Sequence, residues 1–470
     1  MFELEFSYAV LLVLCLVAAC GFEFVNGFHD TANAVATVIY TNSLKPWVAV
    51  IWSGFMNSLG VFLGGITVAM GIVNLLPVES LIDQNIAHSI SMVAALLISA
   101  ITWNLATWYI GIPCSSSHTL IGSILGVGIA YSLLPAAEGV AVNWGQAQKI
   151  GLSLLVSPLF GFTMVIILMF LLRNLTKDNP TGDDLFKEPK KNSPPPPWIR
   201  GILLLTCTAV SFFHGQNDGQ KGVGLVMLIL IGIVPGYFAL NSHIETAALM
   251  DPLKKIELIA TNIDPAPLAQ PDQNKLTESI AMNQRLQANF LAVADIDNIK
   301  KEDRFDVRKD LLVMNRNLSD LMKKEEARVS EADKKNVKDN LKKLTKATDY
   351  APGWVIFMIS ISLGLGTMIG WKRIVKTIGE KIGKQHLTYA QGASAELVAA
   401  STIGLSSFFG WPVSTTHVLS SGIAGSMVAS KGIKNLQSET VRNILVAWLL
   451  TLPVVMVLSG SLFLLFRSIF

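Results

Sequence analysis

Two short polar stretches interrupt otherwise apolar sequence, and each carries an aspartate. The first is Asn26-Gly27-Phe28-His29-Asp30-Thr31-Ala32-Asn33; the second is His214-Gly215-Gln216-Asn217-Asp218-Gly219-Gln220-Lys221. Setting Gly27 on Gly215 sets Asp30 on Asp218 and makes the Asn and His of the two copies trade places. An ionised aspartate in apolar surroundings is costly unless it is paired or faces water, so both carboxylates read as functional. Together with amide oxygens and freed backbone carbonyls they are hard oxygen ligands, suited to a sodium ion, a hydrated divalent ion or a proton.

A second pair of stretches suits the opposite charge. Pro113-Cys114-Ser115-Ser116-Ser117-His118-Thr119-Leu120 matches Pro412-Val413-Ser414-Thr415-Thr416-His417-Val418-Leu419. Proline in the first turn of a helix, followed by hydroxyl residues, gives an N-terminus with unpaired N–H groups, a positive dipole end and several O–H donors. That is a site for a tetrahedral oxyanion, which the two copies would clamp from both sides near the membrane mid-plane. Four of the seven histidines, His29, His118, His214 and His417, sit inside the motifs and point to a titratable network. A zinc site is the weaker reading, because no two of them share a helical turn within either half. Glu23 and Glu396 are further charges near the motifs. Lys221 either balances Asp218 or contacts an anion, and both roles are open to it.

These two motifs recur in the same order, once per half, which marks an internal duplication. The chain has 470 residues, 51% hydrophobic and 15% charged, against roughly 25% charged for an average soluble protein; it reads as a polytopic membrane protein. A net charge of +3 is too small to imply a nucleic-acid partner. Cys15, Cys20, Cys114 and Cys207 lie in or beside apolar runs without metal-ligand spacing and read as small buried residues. The first apolar run has no basic residue before it and no small-residue cleavage site, so it reads as a transmembrane helix rather than a signal peptide.

A spanning helix needs about 20 apolar residues, and on that rule ten units are expected. They fall near 6–40, 46–76, 87–112, 113–134 and 147–172, then 199–239, 353–371, 391–411, 412–430 and 441–466. The units at 6–40 and 199–239 are expected to be interrupted at the Gly27 and Gly215 motifs, because small residues permit non-helical backbone where it lines a cavity. The pairs around Pro113 and Pro412 read either as full crossings or as re-entrant hairpins. Five units per half reverse the second copy, giving an inverted repeat. Residues 1–172 form the first membrane repeat, 173–198 a basic, Pro-rich cytoplasmic linker, and 199–240 with 351–470 the second repeat. Residues 241–350, rich in Lys, Asp, Glu, Asn and Gln with a helical pattern through Leu311, Leu312, Met314, Leu318, Leu321 and Met322, read as a periplasmic, mostly helical insert. The fold class is all-α and polytopic: an inverted-repeat secondary transporter with discontinuous or re-entrant helices plus that soluble insert.

The stretches Gly27 to Ala34, Ser115 to Leu120, His214 to Gly222 and Pro412 to His417 resemble the signatures of the inorganic phosphate transporter (Pit, or phosphate permease) family, in particular its bacterial low-affinity branch. The resemblance covers both membrane halves and implies symport of inorganic phosphate, with arsenate as a mimic, across the cytoplasmic (inner) membrane. Carried over by motif, it implies coupling-ion or proton positions at Asp30, Asn33, Asn217 and Asp218, with His29 in the place where the wider family has Asn. It implies phosphate-binding positions at Ser115, Ser116, Ser117, Ser414, Thr415 and Thr416. His118, His417, His214, Gln220 and Lys221 are expected to support them. His29 and the bacterial resemblance favour proton coupling, and Asp30 and Asp218 are candidate ligands for a co-transported Mg²⁺ or other divalent ion travelling as a neutral metal-phosphate complex. No resident cofactor is expected; the partners are phosphate, membrane lipid and a second copy in a homodimer. The reading is of a transporter and not an enzyme. Sodium-coupled phosphate or sulfate symport is the nearest alternative. A cation channel lacks use for paired anion and cation sites, and a hydrolase built on Ser116 or Ser117 with His118 would have nucleophile and base as sequence neighbours, whereas triad partners normally meet through the fold.

Overall fold

A computed structural model describes residues 2–76, 86–135, 142–178, 180–190 and 193–469, without the side chains of Asn33, Pro180 and Thr181. Asn179, Lys191 and Asn192 of the expected linker lie outside these described residues. The chain divides into two compact units, one of Leu4–Ile229 with Ala351–Phe470 and one of Met1–Glu3 with Leu230–Tyr350.

The larger unit opens with α1 (Phe6–Tyr40), α2 (Pro46–Leu63), α3 (Thr67–Val73), α4 (Ile86–Ile110), α5 (Ser116–Ser132) and α6 (Trp144–Leu175). A short α7 (Pro180–Asp183) precedes α8 (Pro197–Ile233), which starts on the last proline of the Pro194 to Pro197 run, where a fixed φ and a missing N–H cost a helix nothing. After α9 (Pro235–Phe238), the smaller unit contains α10 (Ala247–Thr261), α11 (Gln270–Leu291), α12 (Arg304–Leu321) and α13 (Glu331–Leu344). The larger unit resumes with α14 (Gly353–Met368), α15 (Lys372–Lys376) running into a π-turn over Thr377–Lys381, α16 (Tyr389–Phe408), α17 (Thr415–Lys431) and α18 (Ser438–Ile469).

Among the described residues, six helices are long and apolar enough to cross a membrane: α1, α2, α4, α6, α8 and α18. A seventh is obtained if α14 and the stretch Lys372–Lys381, bent by 54°, are taken as one span. The other expected units take a different form. Helices α5 and α17 have 17 residues each, about 26 Å at 1.5 Å per residue, short of a bilayer core of roughly 30 Å. Of α5, all but His118, Ile129 and Ser132 are buried, so it lies within protein rather than lipid. Helix α16 has 20 residues but carries Gln391, Ser394, Glu396, Thr402, Ser406 and Ser407 on buried positions.

The expected interruptions at Gly27 and Gly215 are not found: α1 and α8 run unbroken through both motifs. The glycines serve close helix packing instead. A Cβ at Gly27 would stand 2.4 Å from the Leu363 carbonyl oxygen of α14, and one at Gly215 would stand 2.1 Å from the Asn57 carbonyl oxygen of α2. Small residues let membrane helices approach backbone to backbone, where van der Waals contact rather than hydrophobicity holds them. The breaks occur one helix later, at Gly65 (φ +76°) after α2 and at Gly370 (φ +76°) after α14, in the left-handed region that glycine enters without strain. A second pair ends α4 and α16: Gly111 (φ +74°) and Gly410 (φ +72°) turn the chain out. In each, the next residue donates backward over five residues, Ile112 to Thr107 and Trp411 to Ser406.

Helix α1 packs on α14, α5 on α18 and α17 on α6, again through glycines: Gly126 against Met456 and Gly425 against Phe162. The smaller unit has its own core of Leu253, Ile256, Leu286, Phe290, Val307, Met314 and Leu341; Leu311, Met314, Leu318, Leu321 and Met322 are buried there and Leu312 is only half-buried. Arg308, wholly buried, donates through Nη1 to Ala239 O (2.9 Å) and Thr348 O (2.8 Å), joining the two ends of the unit. Burial pushes its guanidinium down to about 10.

Candidate functional site

Asp30 on α1 and Asp218 on α8 meet in the buried centre of the larger unit. Ser116, on the first turn of α5, reaches both: its Oγ lies 3.1 Å from Asp30 Oδ2 and 3.5 Å from Asp218 Oδ2. Thr416, on the first turn of α17 one residue beyond the counterpart of Ser116, donates to Asp30 Oδ1. The two helix N-termini therefore converge on one pair of carboxylates, one from each motif copy.

Each N-terminus is built the same way. Ser115 caps α5 by accepting the His118 N–H at 3.2 Å, and Ser414 caps α17 by accepting the His417 N–H at 3.1 Å. These two hydroxyls satisfy the helix-end donors that a cap residue normally satisfies. The His118 and His417 rings face each other with centroids 4.5 Å apart, and Trp448 stacks on His417 at 3.8 Å. Ser117 Oγ donates to Val413 O at 3.0 Å, tying α5 to the turn before α17. Thr415 Oγ1 is buried and has no hydrogen-bond partner among the described residues.

Lys221 lies against the Asp218 carboxylate. Its Nζ donates to Asp218 Oδ1 (2.8 Å), Ser117 Oγ (2.5 Å) and Val413 O (2.8 Å). An ammonium has three N–H groups, so all of them are used, and in this conformation Lys221 balances Asp218.

His214 lies between the carboxylates, its Nε2 3.7 Å from Asp30 Oδ2 and 3.7 Å from Asp218 Oδ2. Its Nδ1 is 3.0 Å from Asn57 Oδ1, and Asn57 Nδ2 donates to Thr367 Oγ1 at 2.8 Å. With the Asn57 amide so placed, its oxygen is the acceptor and His214 donates through Nδ1, which points Nε2 at the carboxylates. The Thr367 carbonyl in turn accepts from Thr31 Oγ1 at 2.9 Å, completing a polar chain across α8, α2, α14 and α1. Ligand atoms of Asp30, His214 and Asp218 all lie within 4.8 Å of one another, a spacing one cation could bridge. Two carboxylates and an imidazole are a donor set that fits a small divalent cation or a proton.

The remaining expected residues hold the frame. His29 sits 3.7 Å from Asp30 Oδ1 through Nδ1 and 3.3 Å from Thr107 Oγ1 through Nε2. Asn217, its counterpart, reaches Ser407 Oγ (2.9 Å) and Trp411 O (3.2 Å) and accepts from Val413 N (3.3 Å); it pins the turn between α16 and α17 and does not touch the carboxylates. Gln220 bridges the break between α2 and α3, accepting from Val68 N (2.8 Å) and donating to Gly64 O (2.7 Å). Asn33 lies on α1, and its side chain is outside the described residues. Sequence reasoning missed Asn57, Thr107, Thr367 and Val413. Asn57 was findable as a lone amide in an apolar helix; Val413 acts through its backbone and leaves no mark in the sequence.

Fold and site together define a multi-pass, all-α membrane protein organised around a buried, charged polar centre, which is the plan of a membrane carrier. The profile of the phosphate transporter family (PHO4) matches residues 26–459, and the chain belongs to that family. It is 41% identical to the low-affinity inorganic phosphate transporter PitA of Escherichia coli (strain K12), over 98% of this chain and 97% of PitA. It is 40% identical to PitB of the same organism over 98% of this chain and 97% of PitB, and 29% identical to a probable low-affinity inorganic phosphate transporter of Bacillus subtilis (strain 168) over 98% of each. A solved structure titled "The sodium-dependent phosphate transporter" shares the fold, with a TM-score of 0.56 and 19% identity over 98% of this chain and 100% of that one. These relatives are named as transporters, in keeping with a chain that is not an enzyme.

Proposed function

We propose that the protein is a symporter that imports inorganic phosphate across the cytoplasmic (inner) membrane, driven by the proton gradient, with phosphate carried as a neutral complex with a divalent cation such as Mg²⁺. One observation carries the reading: Asp30 and Asp218, one from each motif copy, meet at Ser116 and His214 where the N-termini of α5 and α17 converge. The carboxylates supply the cation side. The helix ends, with Thr415, Ser116 and Thr416, supply the anion side once the hydroxyls turn from carboxylate to phosphate.

Charge bookkeeping supports symport over uniport. Asp30, Asp218 and Lys221 sum to one negative charge when His29 and His214 are neutral. Phosphate alone would add like charge to a buried centre, which is strongly disfavoured, whereas a phosphate that brings protons or a divalent cation leaves the sum unchanged. The duplicated halves are proposed to form an inverted repeat. Its support is that the matched glycine turns and Ser-capped N-termini recur in both halves, and that helices pack on partners from the opposite half, α1 on α14, α5 on α18 and α17 on α6. On this reading the protein works within membrane lipid, with residues 241–350 on the periplasmic side and a homodimer as the assembly.

The test is labelled phosphate uptake into proteoliposomes under an imposed proton or sodium gradient, with and without Mg²⁺. Uptake that follows protons and needs the divalent ion is the expected result. Uptake that follows sodium alone would transfer the coupling role to that ion, and no uptake under any gradient would remove the assignment.

A further inference from the structure

Glu23 lies on α1, seven residues before Asp30, with none of its surface exposed. Its Oε2 accepts from Asn26 Nδ2 at 3.1 Å, while Oε1 is buried without a hydrogen-bond partner among the described residues. The carboxyl group rests against Gly222 of α8, where a Cβ would come within 2.5 Å of it. A side chain at 222 would fill the space that the carboxyl occupies. The charged and titratable groups facing it are Asp218 and Lys221 on α8, Asp30 on its own helix and Cys20 one turn back. Lys221 has committed its three donors to Asp218, Ser117 and Val413, so it forms no ion pair with Glu23.

A buried carboxylate with one acceptor atom unsatisfied and no cation in contact is expensive, whereas the neutral acid in the same place is not. Each change between the two forms alters by one the charge acting on Asp218, Lys221 and Asp30. We propose that Glu23 is the proton-carrying group of the transport cycle, resting on the proton-coupled reading above. The carboxylate forms an O–H bond at Oε1 with a proton delivered by water when its side of the membrane opens, and breaks that bond to water on the other side. No electrons are transferred, and one positive charge moves per cycle. Glu23 is distinct from the carboxylate pair, which binds the co-transported ions and does not need to lose them to carry this proton.

The experiment compares wild type, Glu23→Gln and Glu23→Asp in proteoliposomes by two readouts: exchange of labelled for unlabelled phosphate at equal pH, and accumulation under a gradient of one pH unit. For one proton per turnover that gradient sustains about a tenfold phosphate gradient. Glu23→Gln keeps the shape and the Asn26 bond but cannot release a proton. It should exchange phosphate within about twofold of wild type and accumulate none, while Glu23→Asp should accumulate with a displaced pH profile. Wild-type accumulation in Glu23→Gln, or loss of its exchange along with accumulation, would overturn the proposal. Should Glu23→Gln not be recovered folded, an unchanged pH profile in Glu23→Asp would overturn it equally. If wild type itself ignores the proton gradient but exchanges phosphate, it is the coupling reading of the preceding subsection that falls.

Discussion

Replacing Gly215 by alanine tests whether close approach of α8 and α2 sets the geometry of the site. The added Cβ would lie 2.1 Å from Asn57 O and 2.8 Å from the Asn57 carbonyl carbon and Cα. Non-bonded carbon atoms prefer a separation of about 3.5–4.0 Å, and the obstacle is backbone, so the helices must part by about 1 Å. Helix propensity favours alanine by roughly 1 kcal/mol, and overpacking costs about 1–3 kcal/mol; the net effect on stability is therefore modest. The functional effect is larger, because Asn57 is also the residue that orients His214. Its Oδ1 stands 3.0 Å from His214 Nδ1, and a further ~1 Å takes that contact past the range in which a hydrogen bond counts. His214 Nε2 then loses its fixed aim between Asp30 and Asp218. Phosphate uptake by Gly215→Ala, normalised to protein recovered in the membrane, should fall at least about tenfold, equivalent to about 1.4 kcal/mol. Gly201→Ala, on the same helix with nothing within 4 Å of its Cβ, should transport as wild type. Equal uptake by both variants would refute the packing argument.

Other outcomes follow from the same contacts. Asp30→Asn turns one of the two carboxylate oxygens that accept from Ser116 and Thr416 into a donor and removes a charge facing His214; concentrative uptake should vanish while the protein remains folded by size-exclusion chromatography, and retained uptake would exclude the role. Lys221→Met leaves Asp218 buried without its counter-charge and should lower the melting temperature, and adding Asp218→Asn should recover much of that loss without restoring transport; a double variant no more stable than the single one would contradict the pairing. Ser414→Ala removes the cap of α17 and should cost about 1 kcal/mol, read as a lower melting temperature. In the smaller unit, Arg308→Ala leaves the Ala239 and Thr348 carbonyls without their donor, and about 2 kcal/mol or more should be lost, seen as faster proteolysis within 241–350.

Much of the site could be read from residue types because buried charge is rare enough to be conspicuous. Asp30, Asp218, His214, Ser116 and Thr416 do meet, and the motif alignment that set Asp30 on Asp218 needed only the order of residues. The helix breaks were misplaced for a local reason. Glycine in an apolar run signals a backbone with no side chain, but that freedom serves either a turn or a close approach. Gly27 and Gly215 take φ values within continuous helices and spend the space on Leu363 and Asn57, whereas Gly65, Gly111, Gly370 and Gly410 take positive φ and turn the chain. Pro113 and Pro412, two residues after Gly111 and Gly410, mark that pair of turns in the sequence; no such proline follows Gly65 or Gly370, and there what decides is which helix lies opposite.

The same limit explains Asn217, which the resemblance sets beside the ion, and Gln220, which is expected to support the site. Both are amides on α8 near Asp218, yet their partners are the Ser407 hydroxyl and backbone groups at the break between α16 and α17 and backbone groups at the break between α2 and α3. A broken helix leaves N–H and C=O groups that cannot be satisfied by lipid, so each break needs a polar side chain from an unbroken neighbour. The amides of the polar motif meet that demand while its carboxylate remains for the site. One motif therefore carries two duties, and the division follows residue chemistry: an amide can donate and accept at once and suits a cut backbone, while an ionised carboxylate only accepts and suits a cation.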